Sequence, residues 1–249
     1  MRLKDQVAIV TGAAQGIGAA YARGLAREGA AVAVVDILDP NPVAKEIVDS
    51  DGRALPMVVD VSDEKQTQEM ARKVKETFGR IDILVNNAAV YGTIVRKPFE
   101  EINVEEWDKV MAVNVRGIFL CVKSVTPYMK AQKRGKIINV TSSTFFKGNA
   151  NFLHYVSSKG AVVAMTRSLA RELGSHNINV NAIAPGQTMS EANLARGEGT
   201  DAHSTQSRLL KGRRLFPEHL VGTIIYLSSS DSDMMTGQVL LVDGGTAFH

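Results

Sequence analysis

The sequence predicts an α/β fold: a single doubly wound parallel sheet of seven strands with helices on both faces, formed by residues 1–249 as one domain. Three observations predict it. Short apolar runs, each read as a buried strand, recur along the chain. Helical patterns separate them, and this strand–helix alternation makes a parallel sheet with crossover helices. The residues best suited to chemistry fall at or beyond the C-terminal ends of the strands, or on the helix that follows, where such sheets bind ligands.

Val7–Val10 is the first strand. It feeds Thr11-Gly12-Ala13-Ala14-Gln15-Gly16-Ile17-Gly18 and then a helical pattern to about Glu28. Glycines there let a backbone approach a pyrophosphate, and a helix N-terminus offers free N–H groups and a positive dipole end. The spacing is G-x-x-x-G-x-G, and alone it reads equally as a tight turn. The second strand, Ala31–Val35, ends in Asp36, 18 residues past Gly18. An acid there can bond both ribose hydroxyls of an adenosine. It also repels a 2′-phosphate, by about 4 kcal/mol for two unit charges about 4 Å apart at an effective dielectric near 20. That prefers NAD over NADP. The bland alternative is a helix-capping aspartate.

Pro40–Asp51 reads as a short helix and Ala54–Val61 as the third strand. Asp60, near its end, either meets an adenine amino group or starts the next helix with Ser62. Asp63–Phe78 is helical, with acids in its first turn and Gly79 behind it. The fourth strand, Ile81–Val85, leads into Asn86-Asn87-Ala88-Ala89, whose small side chains leave room for a cofactor ring. Val104–Lys133 reads as one long helix with Asn114 near its middle, a poor residue there unless it bonds a neighbouring helix or serves a site. Lys136–Val140 is the fifth strand and delivers Ser142. Phe152–Leu173 is the next helix, Ile178–Ala184 the sixth strand, Pro217–Ser228 a further helix and Gln238–Val242 the last strand. Between them, residues 187–212 are polar and weakly periodic, as expected of a substrate lid.

Tyr155 and Lys159 lie four apart, one turn of helix, on one face. A free tyrosine titrates near ~10. A neighbouring cation lowers such a value by roughly 1–3 units, towards the range where the phenol exchanges protons near neutral pH. Ser142 supplies a hydroxyl to the same substrate oxygen. The set suits an alcohol–carbonyl pair if a hydride acceptor lies beside it.

Composition limits the alternatives. Hydrophobic residues make up 45% of the chain, enough for a full core. A net charge of +3 gives no reason to expect a nucleic-acid partner. Cys121 is the only cysteine; it excludes an intrachain disulfide, agrees with a reducing compartment and reads as core. The N-terminus has no apolar stretch of signal type, and no window reaches the roughly 18 apolar residues of a membrane span. The expectation is a cytoplasmic protein with neither a membrane nor a metal.

The motifs Thr11-Gly12-x-x-x-Gly16-Ile17-Gly18, Asn86-Asn87-Ala88, Asn114, Ser142, Tyr155-x-x-x-Lys159 and Pro185-Gly186 occur in order, with Ser142 13 residues before Tyr155. In these the chain resembles the short-chain dehydrogenases/reductases over nearly its whole length. The resemblance implies a Rossmann fold and a catalytic tetrad. Tyr155 is the acid/base, Lys159 holds the nicotinamide ribose and depresses the tyrosine pKa, Ser142 bonds the substrate oxygen, and Asn114 holds a relay water. It implies NAD contacts at Gly12, Gln15, Gly16, Ile17, Gly18, Asp36, Ile37, Asp60, Val61, Asn87, Ala88, Tyr155, Lys159, Pro185, Gly186, Thr188 and Ser190. Ala89 stands where the family often has glycine, and Ser190 where it has threonine. Thr144-Phe145-Phe146, the run from Tyr155 to Leu173 and the ending Thr236-Gly237-Gln238…Asp243-Gly244 look like the bacterial catabolic branch that includes pyridoxal 4-dehydrogenase and 1-phenylethanol dehydrogenase. That implies a small ring-bearing secondary alcohol or hemiacetal as substrate, and a homotetramer paired through helices 104–133 and 152–173. Thr144, Phe145, Phe146, Asn149, the lid and, less directly, His154 would wall the substrate pocket beside Ser142 and Tyr155. His154 reads better as a core or surface histidine, and the two phenylalanines read equally as core. Two other functions fit the motifs less well: an NADPH-dependent ketone reductase of the 3-oxoacyl-carrier type, which Asp36 opposes, and a catalytically silent NAD(H)-binding sensor, which the intact tetrad opposes.

Overall fold

The computed structural model describes residues 1–195 and 208–248. The strands are β1 (Val7–Thr11), β2 (Ala31–Asp36), β3 (Arg53–Val58), β4 (Ile83–Asn86), β5 (Gly135–Val140), β6 (Ile178–Pro185) and β7 (Val239–Val242). They form one sheet in the order β3-β2-β1-β4-β5-β6-β7, and each neighbouring pair is parallel. The order reverses between β1 and β4, which opens a crevice at their C-terminal ends. The predicted seven-stranded, doubly wound sheet is the observed one.

The two faces of the sheet are covered by different helices because successive strand residues point to opposite sides. Val7 and Ile9 of β1, with Ala31, Ala33 and Val35 of β2, join one core with α3 (Glu64–Phe78), α5 (Gly117–Gln132) and α7 (Leu153–Leu173). Ala8, Val10, Val32 and Val34 join the other with α1 (Gly16–Arg27), α2 (Asn41–Asp49) and α9 (Glu218–Ser228). Cys121 is buried in the first core, and burial pushes its thiol up to about 12, so it is not a nucleophile.

Several boundaries move from their sequence positions for tertiary reasons. β3 stops at Val58, three residues before the expected end, so Asp60 and Val61 lie on a loop. Val59 N still donates to Asp36 O, but ladder pairing ends there. Asp63 lies outside α3 as its N-cap, its carboxylate accepting from Gln66 N. The single helix expected over 104–133 is α4 (Val104–Met111), a π-helical segment Ala112–Arg116 and α5. Such an inserted turn is common at functional sites, and here Asn114 sits within it. Val104–Gln132 taken together is long and apolar enough to cross a membrane by length and composition, contrary to expectation. Half of its most apolar window is buried inside the fold, as for a core helix.

Candidate active site

A cleft of about 760 Å³ follows the C-terminal edge of the sheet across the β1/β4 crevice. At one end is the glycine turn. Gly12 has φ +64°, and a Cβ there would stand 2.7 Å from Ala88 Cα. At Gly18 a Cβ would stand 2.0 Å from Gly12 O. Only glycine permits the turn to fold this tightly on itself and onto the loop after β4. Thr11 Oγ1 receives the N–H groups of Asn87 and Ala88, and Asn87 Nδ2 donates to Thr11 O and Gly12 O. The glycine turn is braced from beneath, and Asn87 itself lines the cleft. α1 begins at Gly16 with no side-chain N-cap, which leaves its first-turn amides facing the cleft for an anion. This cradle fits the pyrophosphate of a dinucleotide.

Asp36, 9% exposed, closes β2 beside this turn. Its Oδ2 accepts from Ala14 N at 2.9 Å and its Oδ1 from Leu38 N at 3.0 Å. Among the described residues its charge is therefore held by backbone amides rather than by a cation. Ile37, Asp60, Val61 and Ser62 line the same end. Asp60 Oδ1 accepts from Ser62 N and Oγ, so its turn-starting role is realised at the cleft wall.

At the other end β5 delivers Ser142 and α7 delivers Tyr155 and Lys159, all lining the cleft and all less than 9% exposed. Lys159 Nζ lies 5.6 Å from the centre of the Tyr155 ring and donates to Val140 O at 2.8 Å. Burial holds its ammonium well below the ordinary lysine value, at about 8. Thr141 Oγ1 ties β5 to Lys159 O, which fixes the helix against the strand that carries Ser142. Ser142 Oγ accepts from Thr144 N at 3.2 Å, which orients the hydroxyl. The Tyr155 ring stacks on Phe152 with centroids 4.6 Å apart and planes 19° apart, and packs on Tyr91 at 5.2 Å.

Asn114 is fully buried and does not line the cleft. Its Oδ1 accepts from Val90 N at 2.7 Å, and its Nδ2 donates to Val90 O and to Ser158 Oγ. Ser158 Oγ in turn donates to Tyr155 O. The resemblance gives Asn114 a relay water; the structure gives its side chain a bracing role between the loop after β4 and the helix of Tyr155.

Two substrate-pocket expectations need correction. Phe145 and Phe146 do not line the cleft. They lie in the short helix α6 (Thr144–Lys147), which turns them onto Gly160 of α7 and onto the β6/β7 cluster. Thr144 and Asn149 do line it. His154 is buried beside Phe152, off the cleft, and burial lowers its pKa, so the core reading holds. Pro185, Gly186, Thr188 and Ser190 line the cleft where β6 ends. Thr188 pairs with Leu215, and α8 (Glu191–Ala195) follows, so the beginning of the expected lid is pinned. Arg208, near its far end, donates to Gln187 O and Arg213 O. Residues 196–207 of the lid lie outside the described residues.

Sequence reasoning missed Tyr91, Arg96, Lys147 and Phe152. Phe152 is three residues before Tyr155, and Tyr91 lies on the loop that leaves the C-terminal end of β4; both were positional signals. Tyr91 Oη donates to Asn193 Oδ1 at 2.6 Å, and Asn193 Nδ2 donates to Thr188 O, so the aromatic group around Tyr155 is latched to α8.

Known proteins share this architecture. The family model described as enoyl-(acyl carrier protein) reductase matches residues 12–247. The 3-oxoacyl-[acyl-carrier-protein] reductase of Thermotoga maritima is 40% identical, over 98% of this chain and 99% of that protein. A putative NAD(P)-dependent gluconate 5-dehydrogenase from Beutenbergia cavernae, solved with NADP, superposes with a TM-score of 0.90 at 37% identity, covering 98% of this chain and 97% of that one. Carveol dehydrogenase from Mycobacterium avium, solved with NAD, gives 0.92 at 28% identity over 98% of both chains. Matched along nearly its whole length to oxidoreductases that use nicotinamide cofactors on alcohols or ketones, the chain belongs to the short-chain dehydrogenase/reductase family.

Proposed function

We propose that this chain is an NAD-dependent dehydrogenase of a small cyclic or aromatic secondary alcohol, with hemiacetals and sugar-like alcohols in the same class. The observation that supports it is one cleft lined at one end by Ser142, Tyr155 and Lys159 and at the other by the glycine turn and Asp36. Ser142 Oγ bonds the substrate oxygen and holds it beside Tyr155. Tyr155 Oη takes the hydroxyl proton as the carbinol becomes a carbonyl, and returns it in the reverse direction. Lys159 keeps a positive charge against the phenol and holds the ribose hydroxyls. A nicotinamide cofactor held in this cleft would supply the hydride acceptor for the carbinol carbon, or the donor in the reverse direction. Asn114 positions Tyr155 through Ser158. Tyr91 and Tyr155 form an aromatic wall suited to a flat or cyclic substrate. The fixed carboxylate of Asp36 favours an unphosphorylated ribose.

The second reading is an NADPH-dependent 3-oxoacyl-carrier reductase. The Thermotoga maritima relative favours it and Asp36 opposes it. The test is absorbance of reduced cofactor with cyclic and aromatic secondary alcohols and sugars, using NAD and NADP side by side. Turnover with NAD on a ring alcohol is the expected result. Turnover with NADP alone moves the reductase reading to the front, and no turnover despite intact NADH binding refutes the ring-alcohol class.

A further inference from the structure

Most polar side chains along the substrate end of the cleft are committed to protein partners. Tyr91 Oη donates to Asn193 Oδ1, Asn193 Nδ2 to Thr188 O and Thr188 Oγ1 to Gly186 O, while Ser142 Oγ accepts from Thr144 N. Two are not. Thr144 Oγ1 and Asn149 Oδ1 are shielded from bulk water and, among the described residues, have no hydrogen-bond partner. The other shielded, unpartnered side-chain atoms belong to Tyr21, Asn86, His154 and Ser228, none of which lines the cleft. A shielded polar atom without a partner costs stability, so two of them on the wall of a cleft point to a group that a ligand brings.

Both lie on the segment that leaves β5 through Ser142. Ser142 Oγ holds Thr144 N at 3.2 Å. Gly148 N donates to Thr144 O at 2.9 Å, which closes α6 behind Thr144, and Asn149 is the next residue. Lys97 N donates to Asn151 O at 3.1 Å and holds the exit of this turn. The chemistry of the pair is selective. An amide oxygen only accepts, so its partner must donate a proton, which a carboxylate or an ether does not. Lys147 lies between the two in the chain and lines the same cleft, so it opposes a ligand ammonium. A neutral hydroxyl meets both demands, donating to Asn149 Oδ1 and accepting from Thr144 Oγ1.

We propose that the substrate is a polyhydroxy alcohol with a second hydroxyl on the carbon next to the reacting carbinol, and that Asn149 and Thr144 bond that second hydroxyl. Thr144 is tied to Ser142 through its own N–H, so the hydroxyl it takes is the neighbour of the one at Ser142. The reacting end rests on the alcohol-dehydrogenase reading above, which this narrows to vicinal diols; binding of the second hydroxyl does not depend on turnover.

The test uses complexes in which an alcohol cannot be oxidised. Cyclohexanol, both isomers of cyclohexane-1,2-diol, and cyclohexane-1,4-diol are titrated by calorimetry into the full-length protein saturated with NADH, or with NADPH should the protein prefer it. The expected result is that at least one 1,2-diol binds on the order of tenfold more tightly than cyclohexanol and than the 1,4-diol. Thr144→Val and Asn149→Leu should each bring the ratio of 1,2-diol to cyclohexanol affinity close to one, with affinity for the reduced cofactor as in the wild type. Thr144→Ser, which keeps the hydroxyl, should keep the preference. Equal binding of cyclohexanol and both 1,2-diols, an equal gain for the 1,4-diol, no binding of either 1,2-diol, or a preference untouched by both substitutions would overturn the proposal. If the 1,2-diol preference holds while no alcohol is turned over, the hydroxyl site stands and the alcohol-dehydrogenase reading fails. If simple ring alcohols are turned over without that preference, the reverse is true.

Discussion

The two edges of the sheet treat buried charge in opposite ways. At the N-terminal edge, Asp82 is 1% exposed and accepts from Arg80 Nε and Nη2 and from Val7 N. Lys136, at the start of β5, is 3% exposed and meets Asp233 Oδ1 at 2.7 Å, Asn179 Oδ1 at 2.9 Å and Ser232 Oγ at 3.3 Å. At the C-terminal edge, Lys159 is equally buried but, among the described residues, donates to one backbone carbonyl, and Asp36 is held by two backbone amides. Burial lowers both lysine pKa values, but at Lys136 the Asp233 carboxylate pulls against it. A buried charge closed by counter-charges supports the fold. One satisfied only by backbone retains capacity for a ligand, and that difference separates the structural edge from the candidate catalytic edge.

The largest effect should come from exchanging roles at the open edge. Lys159→Met should lower kcat by roughly 10²-fold or more, since the phenol loses its cation. Its unfolding free energy at pH 7 should fall by no more than about 1 kcal/mol, because the relieved ammonium desolvation offsets one lost hydrogen bond. A large loss of both would erase the contrast between the edges. Next is the closed edge: Asp82→Ala leaves Val7 N and Arg80 without their partner and should cost about 3 kcal/mol in denaturant unfolding, with kcat of the folded protein preserved. At the cofactor end, Asp36→Ser should relax the preference for NAD over NADP by about tenfold or more, read as the ratio of kcat/KM values. The smallest effect is in pH. Lys159 has a folded pKa of about 8, below the ordinary lysine value, so the unfolded chain binds more protons above that point. Stability from this group therefore rises as pH rises through 8 towards the unfolded pKa near ~10.4. Between pH 7.5 and 9.5 the wild type should gain on the order of 1–2 kcal/mol relative to Lys159→Met.

What the sequence made legible follows the same division. The sheet, the crossover helices, the glycine turn, Asp36 and the Tyr155/Lys159 pair are local patterns: apolar runs, glycine spacing and a helical i, i+4 pair. The substrate end is assembled from three loops far apart in the chain, so no local period marks it. Phe145 and Phe146 were misplaced because α6 is too short for periodicity to tell which side its aromatics face. Asn114 gave a signal, a polar residue in an apolar helix, but not its cause. The π segment and the bonds to Val90 and Ser158 are tertiary facts. Nothing local in the sequence singles out Arg96 or Lys147, which the fold sets along the cleft.

The most direct test of the central claim is Tyr155→Phe. Its kcat with NAD and the best alcohol of the panel is compared with its affinity for NADH. The account predicts a fall of roughly 10³-fold or more in turnover with NADH affinity within about twofold of the wild type. Retained turnover, or turnover and NADH binding lost together, would contradict the assignment of Tyr155 as the proton-transfer group at the open edge of the sheet.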